Sequence, residues 1–200
     1  MKRTGLRGLL PLACVTGWTA LLAVWTYGGT AFTSFSAAAA APGPLPRATP
    51  ELRLVGSDGQ PRTLAASSGR WRLVNFFYLS CTGVCQANTA RIEGVREELG
   101  DLVGPRLEIV SVSVDSDPPE RLAELRRLYG DPPGWTFASL ADPDAARTYE
   151  RFGVLVVRRP DGLVNHGTDL YLLDPDSRLV RIFGAGDARS IAARIRDALR

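Results

Sequence analysis

The chain has 200 residues, which is room for one ordinary domain and an additional segment. Its formal charge is +3, but four of the 24 Lys and Arg residues precede Glu51 and none of the 21 acidic residues does. The rest of the chain is therefore close to neutral. This balance excludes an extended phosphate-binding surface, and we expect no nucleic-acid partner.

The N-terminal segment is basic and then apolar. Three basic residues within the first seven positions precede an uncharged stretch over residues 9–27. A helix of this length could cross a hydrocarbon layer of about 30 Å, and the cations before it favour a cytoplasmic N-terminus. We predict an uncleaved signal-anchor transmembrane helix within residues 1–29. The alternative is a signal peptide that is cleaved within the alanines before Pro42.

The segment over residues 30–50 is rich in alanine and proline. This composition predicts a linker between the membrane and a folded domain, because it offers little apolar surface to bury. We assign the folded domain to residues 51–200, which is long enough to build a core.

The domain alternates between strand patterns and helix patterns. Alternating or continuous apolar runs and turn signals predict strands at the positions 52–64 (a hairpin), 71–79, 106–114, 135–140 and 168–184 (a second hairpin). The run over 71–79 is apolar on both sides, as a central strand covered on two faces would be. Apolar residues three or four apart and capping residues predict four helices: one with Ile92, Val95 and Leu99 that ends at Gly100, one with Leu122, Leu125 and Leu128, one from Asp142 as N-cap to Gly153, and one from Asp187 as N-cap with Ile191, Ile195 and Leu199. This order predicts an α/β fold, a thioredoxin-like mixed sheet flanked by helices.

Two cysteines follow the central strand in the sequence "VNFFYLSCTGVC". The predicted anchor carries the domain out of the cytoplasm, where Cys81 and Cys85 can form a disulfide. The N-terminus of the following helix would favour the thiolate form. A purely structural disulfide is the other interpretation, but so short a loop makes the entropic stabilisation among the smallest that a disulfide gives.

The chain has a single histidine, His166, which lies just before the second predicted hairpin. In a thioredoxin-like sheet the loop before that hairpin runs close to the redox cysteines. Two thiolates and one imidazole suit copper, since thiolate selects Cu(I) and the mixed set also holds Cu(II). Zinc with the same three residues and a water is the alternative, because catalytic zinc keeps an open position.

An acidic residue, Asp115, follows the strand predicted over 106–114 and should lie beside the cysteines. It is either a turn residue or a group that orients His166 or adjusts the charge near the metal. We predict the second role, because Asp117 before Pro118 is the better helix N-cap candidate.

At these residues the sequence resembles the Sco/SenC family of membrane-anchored copper-handling proteins. Four segments carry the resemblance, in the order of the family: "VNFFYLSCTGVC", "IVSVSVDSDPPERLAEL", "WTFASL" and "NHGTDLYLLDPDSRLVRIF". The resemblance implies a thioredoxin-like fold, a copper site of Cys81, Cys85 and His166, and a nearby acid at Asp115. Thr82 and Gln86 stand where the family usually has proline after each cysteine, and neither departure removes a ligand.

The resemblance also implies a function and a location. We expect a copper chaperone that delivers copper to an oxidase subunit or another copper protein and helps to assemble the copper centre of cytochrome c oxidase. We expect a single-pass protein of the bacterial inner membrane with its domain on the periplasmic side. The alternative is a thiol-disulfide oxidoreductase that reduces a partner through Cys81 and Cys85. A binding module with a structural disulfide is the non-chemical alternative.

Overall fold

The computed structural model describes residues 6–26, 33–64, 69–80, 84–142 and 144–200. The α-helices in these residues are α1 Leu6–Trp25, α2 Ser34–Ala40, α3 Val84–Leu99, α4 Pro119–Leu128, α5 Ala145–Phe152 and α6 Ala188–Ala198. The strands in the same residues are β1 Arg47–Ala48, β2 Arg53–Gly56, β3 Pro61–Thr63, β4 Trp71–Phe77, β5 Leu107–Ser113, β6 Trp135–Leu140, β7 Val156–Arg158, β8 Val164–His166, β9 Leu170–Leu173 and β10 Arg178–Phe183.

Within the described residues, eight strands form one mixed sheet in the order β1-β10-β9-β4-β5-β6-β2-β3. The three central strands β4, β5 and β6 are parallel. Every other neighbouring pair in the sheet is antiparallel. The strands β7 and β8 form a separate antiparallel hairpin. The predicted mixed sheet flanked by helices is thus confirmed.

The central strand β4 is buried on both faces, as its continuous apolar sequence predicts. Val74 and Phe76 face one core, in which Tyr149 and Phe152 of α5 are buried. Leu73 and Phe77 face the other core, which contains the buried side chains of α3 and α6. These are Ile92, Val95, Leu99, Ile191, Ala192, Ile195 and Leu199. The helical positions predicted to face the core in α3 and α6 are confirmed.

Two of the predicted helix caps differ in the structure. The carboxylate of Asp144, not that of Asp142, accepts from the backbone N–H of Arg147 at the start of α5. Asp142 instead accepts from the hydroxyl of Thr148 and from the backbone N–H of Asp144. At α4 the N-cap is Pro118, with no side-chain cap. The buried carboxylate of Asp117 accepts from the Ser113 hydroxyl at 2.6 Å. The cap predicted at Asp187 is confirmed by its hydrogen bond from the N–H of Ser190.

Part of the predicted linker is folded against the domain. Helix α2 lies within residues 30–50, and β1 pairs with β10 at the edge of the sheet. The guanidinium of Arg47 donates to the backbone carbonyls of Ala39 and Phe152, at 2.9 and 3.3 Å. The alanine-rich composition predicts little apolar surface to bury. However, small side chains let α2 approach the domain closely, and Ala39 is buried. The domain boundaries themselves stay a prediction.

The apolar N-terminal segment forms helix α1 over 20 residues. Among the described residues, no helix combines the length and the hydropathy that a membrane crossing requires. The anchor over residues 1–29 therefore stays a prediction.

Candidate metal centre

The predicted cysteine pair follows β4 in the sequence. Strand β4 ends at Phe77, and α3 begins at Val84, so the backbone of Cys85 lies in the first turn of that helix. Cys81 lies outside the described residues, and for Cys85 the helical backbone alone is described. The helix N-terminus after a buried strand is the environment that favours a thiolate. We call the ends of β4 and β5, with the residues that follow each, the carboxyl edge.

The register of β9 determines where the His166 segment lies. Asn75 of β4 is paired with Leu170 of β9, and the two strands run in opposite directions. The residues that precede Leu170 therefore enter β9 at the end of the sheet at which β4 ends. The segment from His166 to Asp169 thus leads into the sheet at the carboxyl edge, where β4 leads on to Cys81.

His166 is the last residue of β8, and a hydrogen bond of its ring indicates the tautomer. The Nδ1 atom lies 2.9 Å from the backbone oxygen of Gly167. Because a carbonyl can only accept, Nδ1 carries the proton and the ring lone pair is on Nε2. Burial lowers the pKa of His166, while the Gly167 carbonyl raises it. The neutral imidazole, with a lone pair on Nε2, is the form that binds metals.

The hairpin that carries His166 contacts the carboxyl edge through hydrogen bonds to backbone carbonyls. We call the strands β7 and β8 with their connecting turn the His hairpin. The Tyr78 hydroxyl, just after β4, donates to the carbonyl of Gly162 in the turn at 3.3 Å. Arg158 of β7 donates to the carbonyl of Val114, just after β5, at 3.0 Å. These contacts bring a separate hairpin to the end of the main sheet.

Asp115 contacts the His hairpin through Arg158. Its carboxylate lies 3.1 Å from the Nη1 atom of Arg158, and both side chains are partly exposed. Val156, two residues before Arg158, is the strand partner of His166. Asp115 thus holds the strand next to His166, and any effect that it has on His166 acts through this strand or through its charge. Its role at the metal stays a prediction.

Three further residues make contacts around the site that no pattern in the sequence indicates. Tyr78 and Arg158 join the carboxyl edge to the His hairpin, and Arg91 of α3 donates to the carbonyl of Thr168. Each contact spans more than 40 positions, so no local pattern could have indicated it. Among the described side chains, which include neither thiol of the predicted pair, no three His, Cys, Asp or Glu residues are grouped as metal ligands.

The parallel β4–β5–β6 core, the antiparallel β9–β10 hairpin beside β4 and a helix with Cys85 in its first turn define a thioredoxin-like domain. The sequence model of the SCO1/SenC family matches residues 44–200. The chain therefore belongs to the SCO1/SenC family, and the resemblance found in the sequence is confirmed.

Solved structures agree with this fold. An SCO1/SenC family lipoprotein from Bacillus anthracis has a TM-score of 0.70 and 21% identity, over 78% of this chain and 98% of that chain. Copper-bound ScoI from Arabidopsis thaliana has a TM-score of 0.66 and 20% identity, over 76% and 98% of the two chains. Copper-bound yeast Sco1 has a TM-score of 0.61 and 20% identity, over 76% of this chain and 88% of that chain. At these identities the likeness is one of fold.

A curated relative is similar over a shorter range. The protein from Stutzerimonas stutzeri described as "Putative copper-binding protein" is 26% identical over 88 residues. The match covers 43% of this chain and 43% of that protein, so the chain spans less than half of the length of this relative.

Proposed function

We propose that this protein is a copper chaperone that binds copper as its cargo through Cys81, Cys85 and His166. The observation that supports the proposal is the antiparallel register of β9 against β4, by which the His166 segment enters the sheet at the edge where β4 leads on to Cys81. Cys85 follows in the first turn of α3. Membership of the SCO1/SenC family and the copper-bound structures of similar fold support the same cargo.

The donor set fits copper on chemical grounds. Thiolates are soft ligands that select Cu(I), and thiolates with imidazole also accommodate Cu(II). The hydrogen bond from Nδ1 of His166 to Gly167 fixes the tautomer in which Nε2 has the lone pair. A set of three protein ligands leaves the metal open to a ligand of a recipient protein, which suits transfer. The recipient that we propose is a copper-accepting oxidase subunit, in the assembly of the copper centre of cytochrome c oxidase.

We also propose that residues 1–29 anchor the protein in the bacterial inner membrane and that the domain faces the periplasm. Leu12, Val15 and Trp18 of α1 are exposed, which is where lipid contacts would stabilise them. A relative of similar fold is described as a lipoprotein, a membrane-associated class. Extraction of cell membranes with alkaline carbonate tests the anchor. If residues 1–29 anchor the protein, it should stay in the membrane pellet. If protein sequencing finds a shortened N-terminus, the result would instead support a cleaved signal peptide.

Copper binding is tested on the full chain in detergent. The wild-type protein should show an intense thiolate-to-Cu(II) absorption band and should bind Cu(I) in competition with a chelator. Cys81→Ser and Cys85→Ser should each abolish the band, and His166→Ala should weaken binding and alter the Cu(II) electron paramagnetic resonance spectrum. Each variant removes one proposed ligand.

Two matched controls are available in the chain. Cys14→Ser removes the thiol of α1, which is exposed and free. Asn165→Ala changes the exposed neighbour of His166 on β8. Both should bind copper as the wild type does. Wild-type copper affinity in Cys81→Ser or in His166→Ala would refute the proposed ligand set. Wild-type oxidase activity in a strain that lacks the protein would refute the proposed role in oxidase assembly.

The second candidate function is thiol-disulfide exchange by Cys81 and Cys85. The position of Cys85 in the first turn of α3 favours it, because a helix N-terminus stabilises an attacking thiolate. Rapid reduction of a partner disulfide by the metal-free protein, with the same rate in His166→Ala, would support this reaction. The rate of thiol-disulfide exchange by the metal-free protein should not depend on His166.

A further inference from the structure

The guanidinium of Arg91 joins α3 to the segment that follows His166. Its Nη2 atom donates to the backbone carbonyl of Thr168, and its Nη1 atom donates to the carbonyl of Gly184 at 2.9 Å. Nη2 also donates to the side-chain oxygen of Asn88 at 2.6 Å. One side chain therefore ties α3 to the residue two positions before β9 and to the residue that follows β10.

These contacts form a short path between two of the proposed ligands. Asn88 lies three residues after Cys85, which is about one turn of α3. Thr168 follows Gly167, the residue whose carbonyl accepts from the ring of His166. The guanidinium thus bridges the first turns of α3 and the backbone that orients the imidazole. Because it contacts backbone carbonyls, it constrains the path of the chain as well as a side chain.

An acidic neighbour offsets part of the cost of burying this cation. Burial lowers the pKa of Arg91, and the charge of Asp169, next to Thr168, raises it. A guanidinium presents several N–H groups in a planar fork, so it can serve Thr168, Gly184 and Asn88 together. A lysine ammonium at the same position would keep the charge without the fork.

We propose that Arg91 is a positioning residue that sets the separation between the helix of Cys85 and the imidazole of His166. This inference rests on the proposed function, because it concerns how the third ligand is brought to the thiolates. Arg91 itself does not bind the metal. Groups that orient metal ligands typically change metal affinity by about 10- to 100-fold when they are removed.

The test compares Arg91→Lys with the wild type in the full chain. We expect Arg91→Lys to fold, to keep the thiolate-to-Cu(II) band, to lose the imidazole nitrogen features of the Cu(II) paramagnetic resonance spectrum, and to bind copper about 10- to 100-fold more weakly. The matched control is Arg196→Lys, since Arg196 of α6 also donates to a carbonyl of α3, that of Glu98 at the far end of the helix. It should retain the wild-type spectrum and affinity.

A double mutant separates positioning from a general structural effect. If Arg91 acts through His166, then Arg91→Lys combined with His166→Ala should bind copper as weakly as His166→Ala alone. Additive losses in the double mutant would overturn the proposal. Wild-type spectrum and affinity in Arg91→Lys would also overturn it.

Two further comparisons keep the outcomes distinct. If Arg91→Lys fails to fold, Asn88→Ala removes one acceptor of the same guanidinium and should cause a smaller loss in the same direction, and no loss there would overturn the proposal. If His166→Ala binds copper as the wild type does, the proposed ligand set is refuted, and with it the role of Arg91. If His166→Ala binds copper more weakly than the wild type but Arg91→Lys and Asn88→Ala do not, only the positioning role of Arg91 is refuted.

Discussion

The central strand β4 and the His hairpin meet at the carboxyl edge, but they are stabilised very differently. Six of the seven residues of β4 are buried, whereas β7 and β8 together have one buried residue, Val164. Strand β4 is paired on both sides, with β5 and β9. The His hairpin contacts the edge through a few hydrogen bonds from Tyr78 and Arg158.

This difference separates the stability of the fold from the placement of the proposed ligands. The cysteine pair follows a strand that cannot shift without disturbing both cores. His166 belongs to an element that packs on one core through Val164 and Val156 and is otherwise held by individual polar contacts. We therefore expect substitutions in β4 to change the free energy of unfolding, and substitutions at the contacts of the hairpin to change copper binding.

The largest effect should follow from Phe76→Ala. Phe76 is fully buried, and its ring packs edge-on against Tyr149, Phe152 and Tyr171 with centroid separations of 5.8, 5.3 and 5.7 Å. Removal of a buried phenyl ring leaves a cavity, so the free energy of unfolding should fall by about 3–5 kcal/mol. Urea denaturation followed by circular dichroism measures this change.

Val157→Ala in the His hairpin is the matched control for that substitution. The Val157 side chain is 43% exposed, so its loss should change the free energy of unfolding by no more than about 0.5 kcal/mol. If Phe76→Ala and Val157→Ala lowered the free energy of unfolding equally, the hairpin and the sheet would be one packed unit. That result would contradict the difference drawn between β4 and the His hairpin.

A second prediction concerns alkaline pH. Burial raises the pKa of Tyr149 to about 12, with smaller contributions from the nearby Arg158, which lowers it, and from Asp115 and Asp142, which raise it. In the unfolded chain the phenol ionises near pH 10, so between about pH 10 and 12 the unfolded state binds fewer protons than the folded state. Stability should therefore fall as the pH rises through this window, by at most roughly 2–3 kcal/mol from this residue.

Tyr149→Phe tests this contribution of the core. The variant should lose less stability than the wild type between about pH 10 and 12, as measured by urea denaturation at several pH values. Tyr171, whose pKa burial also raises, remains and should leave a residual dependence. Identical slopes for the wild type and Tyr149→Phe would show that the phenol of Tyr149 is not protected by the core.

The smallest effect on stability should come from the ion pair between Asp115 and Arg158. Both side chains are partly exposed, so Asp115→Asn or Arg158→Gln should change the free energy of unfolding by about 0–1 kcal/mol. Each should nevertheless weaken copper binding, because the strand paired with that of His166 loses a contact with the carboxyl edge. Chelator competition with the full chain measures the affinity.

A neighbouring arginine provides the control for this pair. Arg159 forms an ion pair with Asp161 at 2.9 Å inside the same hairpin. Arg159→Gln should therefore leave copper affinity unchanged. If it weakens binding as much as Arg158→Gln does, the contact with Asp115 is not what matters, and a general effect of charge in the hairpin explains both.

Much of the fold could be predicted because it depends on local patterns. The apolar sequence of β4, the spacing of Ile92 and Val95 in α3 and the cap at Asp187 are each visible within a few residues. The cap predicted at Asp142 was wrong, because Asp142 and Asp144 are both suitable cap residues. The choice between them depends on where the first turn of α5 begins, which the pattern of residues does not specify.

The sequence by itself determined the kinds of ligand that are available, two closely spaced thiols and a single imidazole, and the alternation of elements that led to the α/β fold. Only the tertiary structure decided that β9 runs antiparallel beside β4, that Arg91 contacts Thr168 and that Arg158 contacts the carboxyl edge. It also decided that α2 packs on the domain through Arg47. The physical reason is one of range. Periodicity and capping are interactions between residues a few positions apart, whereas the register of a sheet and the partners of a long guanidinium depend on segments that only the folded chain brings together.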